Sequence, residues 1–211
     1  MEKENKKIPI ATKKRFPLYL RALLQLQQNN VERIRSYQLG KMIDVEANTV
    51  RRDFMYVNHK GRSAYGYDVN SLINAFNEEL GTDKNNTKIV LIGVGNIGSG
   101  LLKYNYIPSH VGQIICAFDS NIEKINTSIN NVPIYDYKDI KKLFPKDCKI
   151  VILAIPSDNI DSVVNDLVLL KVKAIINFSD GIPRKRTGIK IHQIDLSKIV
   201  SEIIYDLKLS D

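Results

Sequence analysis

Residues 89–100 read IVLIGVGNIGSG, and no other stretch limits the possible fold as strongly. A run of branched apolar residues stops at Gly93-Val94-Gly95-Asn96-Ile97-Gly98, the spacing G-x-G-x-x-G. This pattern needs a strand entering a tight turn at the first glycine. At the second, the backbone must come close to a diphosphate; at the third, a helix must pack hard on the strand. The helix start supplies partial positive charge without any lysine in the loop. Asp119 stands 26 residues after Gly93 and ends a second apolar run, QIICAFD. A carboxylate there accepts hydrogen bonds from the two hydroxyls of an adenosine ribose and repels a 2′-phosphate. Ser120-Asn121 offers no arginine to receive such a phosphate, so the pattern predicts NAD(H) over NADP(H). A Rossmann-like domain that binds coenzyme A, or has lost its ligand, remains the alternative.

The rest of the C-terminal half repeats strand and helix. KIVLI, QIICAFD, VPIYD, KIVILAIP, VKAIINF and IKIHQI are the predicted strands. YKDIKKLF and a segment opened by Ser157-Asp158, with Ile160, Val163, Val164 and Leu167 on one face, are predicted helices. Such alternation implies a doubly wound parallel sheet with right-handed crossovers. The closing DLSKIVSEIIYDLKL predicts a helix capped by Asp195, with Leu196, Ile199, Val200, Ile203 and Leu207 apolar. That face must pack on its own sheet or on a partner subunit.

The N-terminal part has another character. Between Lys6 and Arg62 there are 13 Lys/Arg against 4 acids, although the whole chain carries only +8. This is the charge footprint of a nucleic-acid-binding module, or of a lysine-rich solvated surface. PLYLRALLQLQQN, residues 17–29, predicts a helix with Pro17 in its first turn. SYQLGKMI, with Ser36 as N-cap, and ANTVRRDFMYV, with Val50, Phe54 and Val57 inward, predict a helix-turn-helix joined through Asp44-Val45-Glu46. Asn48, Thr49, Arg51, Arg52 and Met55 then face outward, where arginine, threonine and asparagine read base edges or phosphates. NHKGRSAYGYD predicts a hairpin wing tipped by Lys60 and Arg62. A further helix, capped by Asp68 and ended by Gly81, carries Val69, Leu72, Ile73, Phe76 and Leu80. The polar TDKNNT, residues 82–87, predicts the domain boundary.

Exclusions follow from what the sequence lacks. No apolar run suits a membrane span, and the charged start suits no signal peptide, so a cytoplasmic protein is expected. The two cysteines, Cys116 and Cys148, fall in no metal-binding or disulfide pattern, so no metal is expected. His59, His110 and His192 have no partner motif and no Tyr-x-x-x-Lys pair is found, so no catalytic residues are expected. A small NAD-dependent oxidoreductase is the less favoured alternative.

A basic winged helix joined to a NAD-type Rossmann domain resembles the Rex family of redox-sensing transcriptional repressors. The resemblance rests on IPIATKKRFPLYLR, ANTVRRDF with YGYDV, GVGNIGSGL with AFDSN, ILAIPS, IINF and IDL, in that order. It implies a winged-helix DNA-binding domain at 1–81, a Rossmann NAD(H)-binding domain at 88–194 and a C-terminal helix, 195–211, exchanged between subunits of a homodimer. NADH is then expected to release a palindromic double-stranded DNA operator, and NAD+ to compete without doing so. Ala154, Ile155, Pro156, Asn177 and Phe178 join the glycine loop and Asp119 as implied cofactor contacts. Tyr104 matches a tyrosine near the nicotinamide, and Asp195 an acid alternating between that tyrosine and Arg21. Three departures stand out. Val57-Asn58 replaces the family's Phe-Gly, Ser179-Asp180 follows Asn177-Phe178 in place of Ala-Pro, and a basic IPRKRTG comes next.

Overall fold

The structure, a computed structural model, describes residues 8–57, 65–81, 87–104, 107 and 111–209. Lys60, Arg62 and His59 of the expected wing, with Asn58, lie outside the described residues, as does His110. The chain divides into two compact units, Met1–Asn85 and Asn86–Asp211.

In the first unit α1 spans Ile10–Gln28. It starts two turns earlier than its sequence suggests: Pro9 is the N-cap and Pro17 lies inside the helix. The reason is burial. In the added turns Thr12 and Phe16 are buried on the same face as Tyr19, Leu20, Leu23 and Leu26, while Pro17 is exposed on the other. Packing of an amphipathic face outweighs the hydrogen bond that proline removes. α2 (Ser36–Ile43) is preceded by Arg35 as N-cap, so Ser36 is the first helical residue and is buried, not the cap. Gln38 Oε1, three residues on, accepts from the N-cap Arg35 N–H at 3.0 Å, the reach-back contact of a capping box. Asp44 ends α2 in the left-handed region, and α3 follows at Ala47–Phe54. One helical turn of 3-10 type, Met55–Val57, extends it. Val50, Phe54 and Val57 are buried.

α4 (Val69–Leu80) is capped by Asp68, whose side chain accepts from Ser71 N at 2.8 Å, and stops at left-handed Gly81. Phe54 meets Tyr67 and Phe76 edge to face at 4.9 and 5.6 Å, so aromatic rings fasten the second helix of the pair to α4. The described end of the expected wing, β2 (Tyr67–Asp68), pairs antiparallel with β1 (Arg33–Ile34).

The second unit is a seven-stranded sheet. Its strands are β3 (Lys88–Ile92), β4 (Gln113–Asp119), β5 (Ser128–Ile129), β6 (Val132–Asp136), β7 (Ile150–Leu153), β8 (Ala174–Asn177) and β9 (Lys190–Gln193), ordered β5-β6-β4-β3-β7-β8-β9. All pairs are parallel except β5 with β6, a short edge ribbon. Alternate β3 residues feed two cores: Val90 and Ile92 on one face, Ile89 and Leu91 on the other. Both faces are therefore covered, as parallel sheets require. α5 (Asn96–Tyr104) follows β3, and α7 (Ile160–Leu169) links β7 to β8. YKDIKKLF makes a 3-10 turn and a single α-turn, α6 (Ile140–Leu143), and not a full helix. Strand order reverses between β3 and β7, and a doubly wound sheet opens its crevice at such a point.

α8 (Leu196–Leu209) buries no residue. Ile199, Val200, Ile203 and Ile204 are each about half exposed, and Leu196, Leu207 and Leu209 more so.

Candidate functional site

A cavity of about 480 Å³ opens at the carboxyl edge where β3 and β7 part. Gly93 and Gly95 form one wall and Ala154, Ile155 and Pro156, just past β7, the facing one. Asp119 and Ser120 line the end beyond β4. Gly93 sits at φ +91°, where a side chain is strained, and a Cβ there would also run into Ala154 O. The two walls touch at this residue. Gly95 differs: apart from its own chain neighbours, no protein atom lies within 4 Å of where its Cβ would be. Its missing side chain is not demanded by the protein's own packing. It leaves room on the cavity side, which is what close approach of a diphosphate requires. The helix dipole of α5 adds positive potential at Asn96-Ile97, both exposed at its first turn.

Asp119 is 9% exposed. One carboxylate oxygen accepts from Val94 N at 2.6 Å and the other from Asn121 N at 2.8 Å. A carboxylate has about four lone-pair positions, so both oxygens keep capacity for ligand hydroxyls. Burial with these two backbone donors fixes the carboxylate at the β4 end of the crevice. The residues present therefore fit an adenine dinucleotide.

Several lining groups escape sequence reading. Lys124 Nζ donates to Val94 O at 2.8 Å and lines the cavity, so the glycine loop does have a lysine beside it. Tyr137 comes from the turn after β6, Asn159 from the turn before α7, and Ser162 and Val163 from α7 itself. Tyr137 donates to Asp166 at 3.1 Å, and burial pushes its hydroxyl well above the usual range. Only the crossovers bring these segments to the crevice, and no spacing rule marks them.

Other expected contacts sit elsewhere. Val94 and Gly98 are buried under the loop. Asn177 is fully buried: its amide donates to Gly181 O at 2.9 Å and Gln193 Oε1 at 2.6 Å, and its oxygen accepts from Ser179 N at 3.1 Å. Ser179 Oγ accepts from Ile155 N at 3.3 Å. The departure at Ser179 thus joins the loop after β8 to the cavity wall. Phe178 packs partly buried on the sheet. Arg184 and Arg186 of the basic segment pair with Asp161 of α7. Tyr104 is 72% exposed at the end of α5. Asp195 caps α8, accepting from Lys198 N at 3.0 Å, and Arg21 is exposed on α1.

In the first unit α3 presents Asn48, Arg51 and Arg52 to solvent, with Thr49 half-buried. Arg51 donates to Asn48 Oδ1. The opposite face of α3 holds Asp53, 2% exposed. Arg15 grips it with Nε at 2.6 Å and Nη2 at 2.9 Å, while Thr12 and Tyr19 donate at 3.0 and 2.8 Å. Burial pushes the Asp53 carboxyl up, but these hydrogen bonds and the Arg15 charge more than offset it, holding it below the usual carboxylate range. An acid in a basic segment thereby orients a basic helix.

Among the described residues no cluster of His, Cys, Asp and Glu could hold a metal ion, and no helix is long and apolar enough to cross a membrane.

Comparison with known proteins bears on both units. Residues 7–54 match a family described as "Putative DNA-binding protein N-terminus", and residues 84–181 match one described as "CoA binding domain". The redox-sensing transcriptional repressor Rex of Bacillus licheniformis is 38% identical over 209 residues, covering 99% of this chain and 97% of its own. Rex of Bacillus subtilis is 38% identical over 208 residues, with 99% and 96% covered. Among solved structures, RSP in complex with beta-NAD+ and operator DNA matches with TM-score 0.85 at 28% identity, over 98% of this chain and 95% of that one. RSP in complex with beta-NADH matches with TM-score 0.81 at 28% identity, over 98% and 97%. Its length, both units and their order agree with these relatives, and the chain belongs to the Rex family of redox-sensing transcriptional repressors.

Proposed function

We propose that this chain is a homodimeric transcriptional repressor that holds a palindromic operator and leaves it when NADH binds. One observation carries the reading. A crevice lined by Gly95 and a buried Asp119 lies on the same chain as a helix presenting Asn48, Arg51 and Arg52 to solvent. The dinucleotide, when bound, supplies the redox information, since NADH and NAD+ differ in nicotinamide charge and ring shape. Gly93, Gly95 and the α5 start hold its diphosphate, and Asp119 its ribose. Ala154, Ile155 and Pro156 wall the other half.

The protein's own part is a two-state equilibrium. A ligand moves such an equilibrium only by its difference in affinity for the two states. Tyr104, Asp195 and Arg21 are the residues assigned to that difference. In the described structure Asp195 is a helix cap, so its alternative partnership must compete with Lys198 N. The exposed apolar face of α8 supports dimerisation through this helix, and a two-fold dimer matches a palindrome. The role is binding without turnover.

The test is a gel shift on palindromic operator DNA with NADH, NAD+, coenzyme A or no ligand. Release by NADH alone is the expected result. Release by coenzyme A would favour the second reading, to which the family match over 84–181 points. In the same assay Arg51→Ala should weaken DNA binding by about 1–3 kcal/mol with NADH affinity intact.

A further inference from the structure

Lys124 is half-buried beside the glycine loop. Among the described residues its ammonium has one partner, the neutral carbonyl oxygen of Val94, and it forms no ion pair. An ammonium has three donors, so two are left over at the wall of a concave cavity. An ammonium with two donors left over at a cavity wall is placed to receive an anionic group of a ligand that brings one there.

Asp119 lines the same end of the cavity and accepts from the N–H of the same residue whose C=O takes Lys124. Val94 is thus held at both ends by opposite charges. These two groups have opposite preferences for a phosphate at that end of a ligand.

We propose that Lys124 is a specificity-determining phosphoryl-binding residue of this pocket, and that exclusion of a 2′-phosphate rests on Asp119 against it. The proposal rests on the reading of the crevice as a dinucleotide site. It refines the expectation that Asp119 repels a 2′-phosphate and that Ser120-Asn121 supplies no arginine to receive one. A cation is present; it comes from the turn after β4, five residues beyond the acid. The carboxylate repels the 2′-phosphate, and the ammonium attracts it.

The test is a fluorescence titration of NADH and NADPH into wild type, Lys124→Met, Lys124→Arg, Asp119→Ser and Asp119→Ser/Lys124→Met, with thermal melts on each. Wild type should prefer NADH. Asp119→Ser should move the NADPH to NADH affinity ratio toward NADPH by about tenfold or more, the size expected of one charge-assisted contact. The double variant should lose that gain, and Lys124→Arg should keep the wild-type ratio. A residue that merely braces the loop would lower both affinities equally. An unchanged ratio between Asp119→Ser and the double variant would therefore overturn the proposal. Should Asp119→Ser not fold, Asp119→Asn, which keeps an acceptor for Val94 N, carries the same comparison. Wild type binding neither dinucleotide would instead sink the dinucleotide reading itself, before any variant is compared.

Discussion

At the scale of single residues, two positions separate fold from function. Asp53 belongs to the fold. Its carboxylate is buried against Thr12, Arg15 and Tyr19, and removing the charge strands the Arg15 guanidinium. Asp53→Asn should cost about 2–4 kcal/mol, measured by urea unfolding. Because the folded carboxyl titrates below its unfolded value of about 3.9, its contribution is present above that pH and lost as pH falls through the folded value. The variant should show a shallower loss of stability on acidification. Gly95 belongs to the site. Its backbone lies outside the left-handed region and its missing Cβ faces no protein atom. Gly95→Val should leave the melting temperature nearly unchanged and abolish release of operator by NADH. A large drop in melting temperature would mean that the glycine serves packing.

At the scale of elements, α1 and α8 pose opposite problems. α1 keeps an internal proline because its other face is deep in a core. α8 has an apolar face and fully buries no residue of it. Such a face is a surface awaiting a partner. Ile203→Asp should raise the dimer dissociation constant by about thirtyfold or more, read by sedimentation, and weaken binding to a full palindrome far more than to a half-site. A variant that stayed dimeric would place the subunit contact elsewhere. α3 is held from behind by the same acid that its sequence neighbours would seem to disfavour. Arg51 and Arg52 face solvent on the side of α3 away from the buried Asp53.

At the scale of the whole molecule, the redox signal can enter by thiols or by dinucleotide. Burial pushes the Cys116 thiol up to about 12, and the buried Cys148 thiol is raised for the same reason. Neither forms an appreciable thiolate at neutral pH, and these are the chain's two cysteines. Diamide treatment of the native protein should leave operator binding unchanged, while NADH releases it. Loss of binding on oxidation, rescued by alanine at both cysteines, would move the sensor from the crevice to the thiols.

The glycine spacing, the apolar strand runs and Asp119 were enough to imply a doubly wound sheet with a nucleotide crevice, because short-range sterics and periodicity set those features. The helix pair with its basic outer face was legible for the same reason. The start of α1 was not legible, since a local rule for proline yields to the burial of Thr12 and Phe16 upstream of it. Lys124, Tyr137 and Asp53 were invisible as participants because their partners lie 30, 29 and 38 residues away in the chain. Only packing decides which distant charge meets which backbone group. Sequence alone thus determined the kind of ligand edge this protein presents. Tertiary structure decided which charges stand beside that edge, since folding brings together groups whose separation along the chain carries no periodic signal.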